Sequence, residues 1–259
     1  MRGLFSPSSL VYSLYTKKLE REVKSANNIP HHVGLILDGN RRGSNLLGIP
    51  KTRGYQKGAD KFEEVLEWCM DLGIRVISVW IFSTENFSRE SEEVHAIMEL
   101  AEKSTIKMRS DPRVHNEGIK VIFSGETELL PESLQKEIRH TEEETKDYEN
   151  YTLNICLGYG GRAEITNAVR KIAKAVKSGT LEVEDIDESY IGSNLYTRGL
   201  PDPDLIIRTS GEVRLSGFLL WQGSYSELYF TDVFWPLFRK IDFLRAIRDY
   251  QRRKRNFGK

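Results

Sequence analysis

The stretch IRVISVWIF at 74–82 puts apolar side chains on both faces of an extended strand. Successive strand side chains point to opposite sides, so both faces of such a run must be covered. A strand inside a parallel sheet, with helices packed above and below, satisfies that demand. Shorter apolar runs at 33–37, 119–123, 152–157 and 205–207 read as further strands. Between them, Phe62, Val65, Leu66, Cys69 and Met70 follow the spacing of a one-faced helix. The segments 92–109, 131–147, 162–177 and 239–254 read as helices too. Strand, helix and strand in repetition require crossover connections, so the expected class is α/β, with a largely parallel central sheet flanked by helices. No internal repeat or low-complexity linker divides the chain. The expected organisation is an amphipathic helical segment over 1–30 and one domain over 31–259.

The 259 residues can bury a sizeable core without staples. The 38 Lys and Arg balance 38 Asp and Glu, which argues against a chain that works by coating nucleic acid. Cys69 and Cys156 lie far apart inside apolar stretches. Their number excludes a disulfide framework and a structural zinc site, and suits buried thiols in a reducing, cytoplasmic setting. No apolar run is long enough to span a membrane. Near the N-terminus, Pro7, Ser8 and Ser9 interrupt the apolar stretch, and Lys17, Lys18 and Arg21 follow it, unlike a signal peptide. Leu10, Val11, Leu14, Tyr15 and Leu19 recur there at helical spacing. The pattern serves either a helix packed on the main body or an apolar face that lids a greasy site or touches a membrane peripherally. Residues 126–149, with nine acids and three bases, read as a solvated helix face. Residues 239–259 carry nine Lys/Arg and two Asp, which suits a solvated face or contact with phosphate or anionic lipid.

In an open parallel sheet, ligands bind beyond the carboxyl ends of the strands. Three polar clusters follow three of the expected strands. They are Asp38-Gly39-Asn40-Arg41-Arg42, then Ser83-Thr84-Glu85-Asn86-Phe87-Ser88-Arg89, then Arg208-Thr209-Ser210-Gly211-Glu212 with Arg214 and Ser216 behind it. Alone, each has a plain explanation: DGN forms turns, and paired arginines sit in water. Together on one rim they supply a carboxylate, glycines that let backbone N–H groups approach an anion, and several guanidinium groups. That inventory suits a diphosphate or polyphosphate with a divalent cation. A P-loop is excluded because GxxxxGK[ST] is absent. Gly158 to Ala163 fits G-x-G-x-x-A and keeps a dinucleotide-binding oxidoreductase as an alternative, although no strand ending in an acid follows at the required distance. His31, His32, His95, His115 and His140 lack metal-ligand spacing and read as surface or capping residues.

The motifs HHVGLILDGNRR (31–42), FSTENFSR (82–89), LNICLGYGGR (153–162), DLIIRTSGE (204–212) and RLSGFLLWQGSYSELYFTDVFWP (214–236) run in order along the chain. The combination resembles the cis-prenyltransferase family of the undecaprenyl-diphosphate-synthase type, and the doubled arginine is most similar to archaeal members. The resemblance implies a homodimeric α/β fold with an apolar tunnel. It also implies Mg²⁺-dependent joining of isopentenyl diphosphate to an allylic diphosphate, with release of pyrophosphate. By that resemblance Asp38 is the essential aspartate and, with Glu227, holds Mg²⁺. Gly39, Asn40, Arg41 and Arg42 hold the allylic diphosphate. Arg208, Arg214 and Ser216 hold isopentenyl diphosphate. Asn86 assists proton removal within a mobile loop containing Ser83, Thr84, Glu85, Phe87 and Arg89. The chemistry agrees, because a departing diphosphate needs positive charge and the allylic cation needs a dry apolar pocket. Trp80, Phe82 and the FLLW run at 218–221 could wall such a pocket, or serve ordinary core packing.

Five positions depart from the family pattern. Gly43 stands where an aromatic is usual, and Lys51 where many bacterial members have arginine. Tyr55 replaces the histidine of G-H-x-x-G, Gly217 replaces the asparagine of R-x-S-N, and Asn256-Phe257-Gly258 replaces R-x-G. Lys51 and Tyr55 remain at substrate-binding positions. The departures lead to an expectation of surviving donor activation with impaired repeated addition, giving a short product or transfer to an alcohol. If Lys51, Arg53, Arg255 or Lys259 replace the lost contacts, long-chain synthesis persists. A non-catalytic accessory subunit is the competing class, and it is disfavoured because Asp38 and Arg208 are both present.

Overall fold

The computed structural model of the chain describes residues 7–253, with side chains from Val11 onward. Six strands form one sheet: β1 (His32–Ile36), β2 (Val76–Ser83), β3 (Ile119–Ser124), β4 (Tyr151–Tyr159), β5 (Leu205–Arg208) and β6 (Glu227–Phe230). Their order is β3-β4-β2-β1-β5-β6, and every neighbouring pair is parallel. The helices are α1 (Pro7–Ser25), α2 (Asn40–Leu46), α3 (Lys51–Leu72), α4 (Ser91–Arg109), α5 (Pro112–Asn116), α6 (Glu132–Thr145), α7 (Gly161–Lys177), α8 (Glu188–Ser193) and α9 (Lys240–Arg252). The five strands and the main helices read from the sequence are all present. The sequence reading misses β6, a half-buried edge strand, and α2, whose polar NRRGSNL lacks an apolar stripe. Tertiary packing decides α2: Gly43 and Ser44 are buried, and only a glycine at 54 leaves room for the Ser44 hydroxyl.

Leu19 and Val23 of α1 are buried in the main core, so this half of the helix packs on the body, against α9. In the other half Val11 and Leu14 are 65% and 59% exposed, and none of its described residues lines the cavity described below. The basic α9 is mostly an interior helix, with Ile241, Phe243, Leu244, Ile247 and Tyr250 buried. Several of its cations are matched within the chain, Lys240 to Glu20, Arg239 to Asp242 and Arg252 to Glu22. Cys69 and Cys156 are buried free thiols, and burial pushes both thiol pKa values up.

His32 is 2% exposed and therefore neither a surface nor a capping residue. Its Nδ1 lies 2.7 Å from the Pro201 carbonyl and its Nε2 2.9 Å from Ser78 Oγ. Asn154 Nδ2 donates to the same hydroxyl at 2.9 Å, and Ser124 Oγ donates to Asn154 Oδ1 at 2.7 Å. A polar chain thus crosses β1, β2, β4 and β3 inside the protein. Because a carbonyl can only accept, Nδ1 carries the proton of the neutral ring and Nε2 accepts from Ser78. Burial pushes the His32 pKa down to about 4 from its ordinary 6.5. The native state therefore binds fewer protons than the unfolded chain between those values, and stability falls as pH drops through the window. Urea titrations are expected to show the wild type losing ~3 kcal/mol more than His32→Gln between pH 6.5 and pH 4.

Candidate active site

After β1 the chain turns toward β2, and after β5 it turns the other way, toward β6. The carboxyl ends of these two neighbouring strands therefore flank a crevice, the place where open α/β sheets bind ligands. Asp38 follows β1, and Arg208 is the last residue of β5. Arg208 Nη2 donates to Asp38 Oδ2 at 2.9 Å. Its Nη1 donates to Ser216 Oγ at 2.8 Å and to the Arg214 carbonyl. Arg208 is 4% exposed, and its buried Nε has no hydrogen-bond partner among the described residues. Thr209 Oγ1 (2.7 Å) and Trp235 N (3.1 Å) both donate to the Asp38 carbonyl and fix the backbone there. Gly39 makes the turn possible: its φ is +96°, and a Cβ would meet Phe234 and Ser210 at 3.0 Å. Its N–H donates to Asp38 Oδ1 at 2.8 Å.

One turn into α2, Arg42 lies 3.9 Å from Asp38 and 3.1 Å from Glu212. Glu212 also accepts from Arg214 at 2.5 Å. The hydrogen bond from Arg214, and then Arg42, hold the Glu212 carboxyl below its ordinary pKa. Arg42, Arg208 and Arg214 thus converge around two carboxylates. A diphosphate entering here can replace carboxylate oxygens as the acceptor for these guanidinium groups.

Across the crevice, Glu93 on α4 gathers the second set. It accepts from Tyr55 Oη at 2.8 Å and Arg89 Nη1 at 3.1 Å, with Lys51 3.6 Å away. Burial opposes ionisation of Glu93, but the Tyr55 hydrogen bond and the charges of Arg41, Arg89 and Lys51 hold its pKa below the ordinary value. Burial, and then Glu93, push the Tyr55 phenol up to about 12. Tyr55 therefore acts as a neutral donor that orients Glu93, which in turn orients Arg89. Asn86 sits in the 3₁₀ turn Thr84–Ser88 with Oδ1 accepting from Ser83 N at 3.2 Å.

Both sets open into one cavity of about 1420 Å³ that runs between the sheet and the helices α3 and α4. Phe62, Leu66 and Met70 of α3 face Ile97, Leu100 and Met108 of α4, over Ile77, Leu153, Ile155 and Leu157 of the sheet. Trp80, Phe82 and Leu220 line it near the rim, whereas Phe218 and Leu219 are buried in a core cluster behind it. The rim carries Asp38, Gly39, Asn40, Arg41, Arg42, Lys51 and Tyr55 from one side. Ser83, Glu85, Asn86, Arg89, Arg208, Arg214 and Ser216 complete it.

Three sequence-derived candidates stand apart from this lining. Thr84 packs against Gly160, and Phe87 lies edge-on to Phe82 at 4.9 Å. Glu227 opens β6 in register with Leu205, at the amino ends of the strands, and pairs with Arg253 at 2.7 Å. The chain by itself does not bring Glu227 to Asp38. The G-x-G-x-x-A turn is no phosphate cradle: Gly161 N donates to Gly217 O at 2.8 Å, and a Cβ at 161 would lie 2.5 Å from that oxygen. The glycine serves backbone packing, and the oxidoreductase alternative falls. At Gly43 the space for a side chain is taken by Phe234 and Pro236, 3.3 Å from where a Cβ would stand. The missing aromatic therefore leaves no gap beside the Asp38–Arg42 segment. Gly217 has a φ of +103°. Asn256, Phe257 and Gly258, with Arg255 and Lys259, lie outside the described residues.

Sequence reasoning placed Glu212 in the third rim cluster without giving it a role, and left Glu93 out altogether. Glu93 had a signal, being four residues before Ile97 on the buried face of α4. Glu212 had none beyond its motif, because its role depends on Arg42 arriving from another helix.

The family model for undecaprenyl diphosphate synthase matches residues 36–258. A tritrans,polycis-undecaprenyl-diphosphate synthase (geranylgeranyl-diphosphate specific) of Methanocaldococcus jannaschii is 51% identical over 98% of this chain and 91% of its own length. The Thermus thermophilus isoprenyl transferase is 48% identical over the whole of both chains. Lavandulyl diphosphate synthase from Lavandula x intermedia, solved with dimethylallyl diphosphate, superposes with a TM-score of 0.84 at 34% identity, covering 92% of this chain and 100% of that one. With a parallel sheet, a guanidinium-lined rim and a continuous apolar cavity beneath it, the chain belongs to the undecaprenyl diphosphate synthase family of prenyltransferases.

Proposed function

We propose that the protein lengthens an allylic prenyl diphosphate by cis addition of isopentenyl diphosphate units, releasing pyrophosphate at each step. One observation carries the reading: Asp38, Arg42, Arg208 and Arg214 meet at the mouth of an apolar tunnel, so a charged head and a growing hydrocarbon tail are accommodated together. In this reading Arg41, Arg42 and the Gly39–Asn40 backbone orient the allylic diphosphate. Arg208, Arg214 and Ser216 orient isopentenyl diphosphate, and Asn86 stands at the rim where a proton is lost. The tunnel walls exclude water from the allylic cation.

The residues present fit Mg²⁺. No group of three or more His, Cys, Asp or Glu among the described residues forms a closed metal cage. Mg²⁺ is commonly held by one or two carboxylates together with substrate phosphates, and Asp38, one-third exposed at the rim, offers such a carboxylate. Bound there, the ion would add positive charge to the departing diphosphate. Because Glu227 lies at the other end of the sheet, its participation calls for a second copy of the chain, which favours a homodimer. No helix among the described residues is long and apolar enough to cross a membrane. The exposed Val11 and Leu14, next to Lys17, Lys18 and Arg21, support a cytoplasmic protein that touches the membrane peripherally.

The names of the archaeal relatives favour geranylgeranyl diphosphate as donor and repeated addition over a short product or an alcohol acceptor, and the filled space at Gly43 removes one ground for impaired addition. Purified protein, Mg²⁺, labelled isopentenyl diphosphate and a panel of allylic diphosphates test this. The expected result is a ladder of long polyprenyl diphosphates, formed fastest from geranylgeranyl diphosphate. Products stopping after one addition, or no incorporation of label with any donor, would overturn it.

A further inference from the structure

The turn that joins α2 to α3 stands out from the body beside the guanidinium rim. Leu46 and Leu47 are 68% and 40% exposed, Gly48 and Pro50 are exposed, and Ile49 is half-buried. A Cβ placed on Gly48, whose φ is +63°, would meet nothing within 4 Å. The turn is nevertheless anchored at its base. Ile49 N donates to the Ser44 carbonyl and Gly48 N to the Asn45 carbonyl, both at 3.1 Å. Ser44 Oγ, packed against Gly54 of α3, donates to the Asn40 carbonyl at 2.7 Å. Charge is one-sided there as well. From Gly39 to Ala59 the chain holds Arg41, Arg42, Lys51, Arg53 and Lys57 and no Asp or Glu, in a protein whose formal net charge is zero. Arg42 and Lys51 meet carboxylates from other elements. Arg41, Arg53 and Lys57 are exposed and form no ion pair among the described residues.

We propose that this turn docks the protein on an anionic lipid bilayer, with Leu46, Leu47 and Ile49 below the headgroups and Arg41, Arg53 and Lys57 against the lipid phosphates. The proposal rests on the peripheral membrane contact inferred above and deepens it, adding to α1 a contact at the rim of the tunnel. A bilayer fits this surface better than a folded protein does. The apolar tip is convex and offers three side chains, against the roughly 20 residues a side of a stable protein interface. Apolar groups ringed by cations are what an anionic membrane interface binds. Asn45 and Lys51, at the two ends of the turn, also line the tunnel mouth. Docking here therefore sets that mouth at the bilayer surface, where a long-tailed allylic diphosphate is itself dissolved.

Co-sedimentation of the full-length protein with vesicles of phosphatidylglycerol or of phosphatidylcholine tests the proposal. Binding is expected on the anionic vesicles, and it should weaken as salt rises. The double variant Leu46→Ser/Leu47→Ser should bind at least ~10-fold more weakly. Arg53→Gln/Lys57→Gln should bind about 10- to 30-fold more weakly. With dissolved substrates and no vesicles, the leucine variant should turn over as the wild type does. Leu47→Cys carrying an environment-sensitive dye gives a direct reading, because the native thiols Cys69 and Cys156 are buried. Its emission should shift to the blue on anionic vesicles. Wild-type vesicle binding in the leucine variant, with an unshifted dye, would overturn the proposal. If Val11→Ser/Leu14→Ser alone then loses binding, the peripheral reading stands on α1 without the rim contact. No binding of the wild type to either vesicle would overturn both. Loss of a dimer in the leucine variant, with vesicle binding kept, would assign the leucines to a second copy of the chain and overturn the proposal as well.

Discussion

Asp38→Asn is expected to lower prenyl transfer by at least ~10³-fold while lowering the thermal unfolding midpoint less than Asp38→Ala does. The amide keeps the size of the carboxylate and an oxygen to accept from Arg208 Nη2, 2.9 Å away in the wild type, but its NH2 then faces the Gly39 N–H, from which the carboxylate accepts at 2.8 Å. It loses the negative charge needed to hold a divalent cation beside a diphosphate. Asp38→Ala should be equally inactive but also less stable, by about 2 kcal/mol. The reason is Arg208: its side chain is 5% exposed and its Nε already lacks a partner, so removing Asp38 strands a buried guanidinium. Turnover measured beside urea unfolding separates the two effects. Wild-type turnover in Asp38→Asn would remove Asp38 from the catalytic machinery.

Arg208→Lys is expected to raise the KM for isopentenyl diphosphate by about 10- to 100-fold, the loss of one or two hydrogen bonds to a charged group. Arg208 spans Asp38 on one side and Ser216 with the Arg214 carbonyl on the other, a reach that depends on a planar fork. An ammonium is a single point and cannot occupy both sides. Arg214→Lys should be milder, since that side chain is 61% exposed and its partner Glu212 is held by Arg42 as well. Initial rates at saturating donor decide. An unchanged acceptor KM in Arg208→Lys would place the second diphosphate elsewhere.

Both expectations use residues that are legible in the amino-acid order, because motif residues following a strand are displaced to one rim by the chain's topology. Asp38, Arg208 and Arg214 needed only the recognition of β1 and β5 as parallel strands. Glu93 was harder. A carboxylate inside an acidic first turn looks solvated until Tyr55 arrives from α3 and donates to it. Glu227 was placed with Asp38 by resemblance, yet the register of β6 sets them at opposite ends of the sheet. Gly43 looked like a loss of packing, and the 234–237 turn fills the space instead.

The amino-acid order by itself determined the class of fold. Two-faced apolar runs such as 74–82, alternating with amphipathic helices, suit a parallel sheet covered on both faces, and the rim clusters follow from strand direction. It also pointed to a diphosphate or polyphosphate ligand, which guanidinium groups and a carboxylate in one motif set suit. Only the tertiary structure decided what the rim encloses. The tunnel and the Tyr55–Glu93 pair in its wall are built from residues on different helices. Their spacing in the chain carries no periodic signal, because hydrogen bonds and ion pairs between elements depend on how those elements pack.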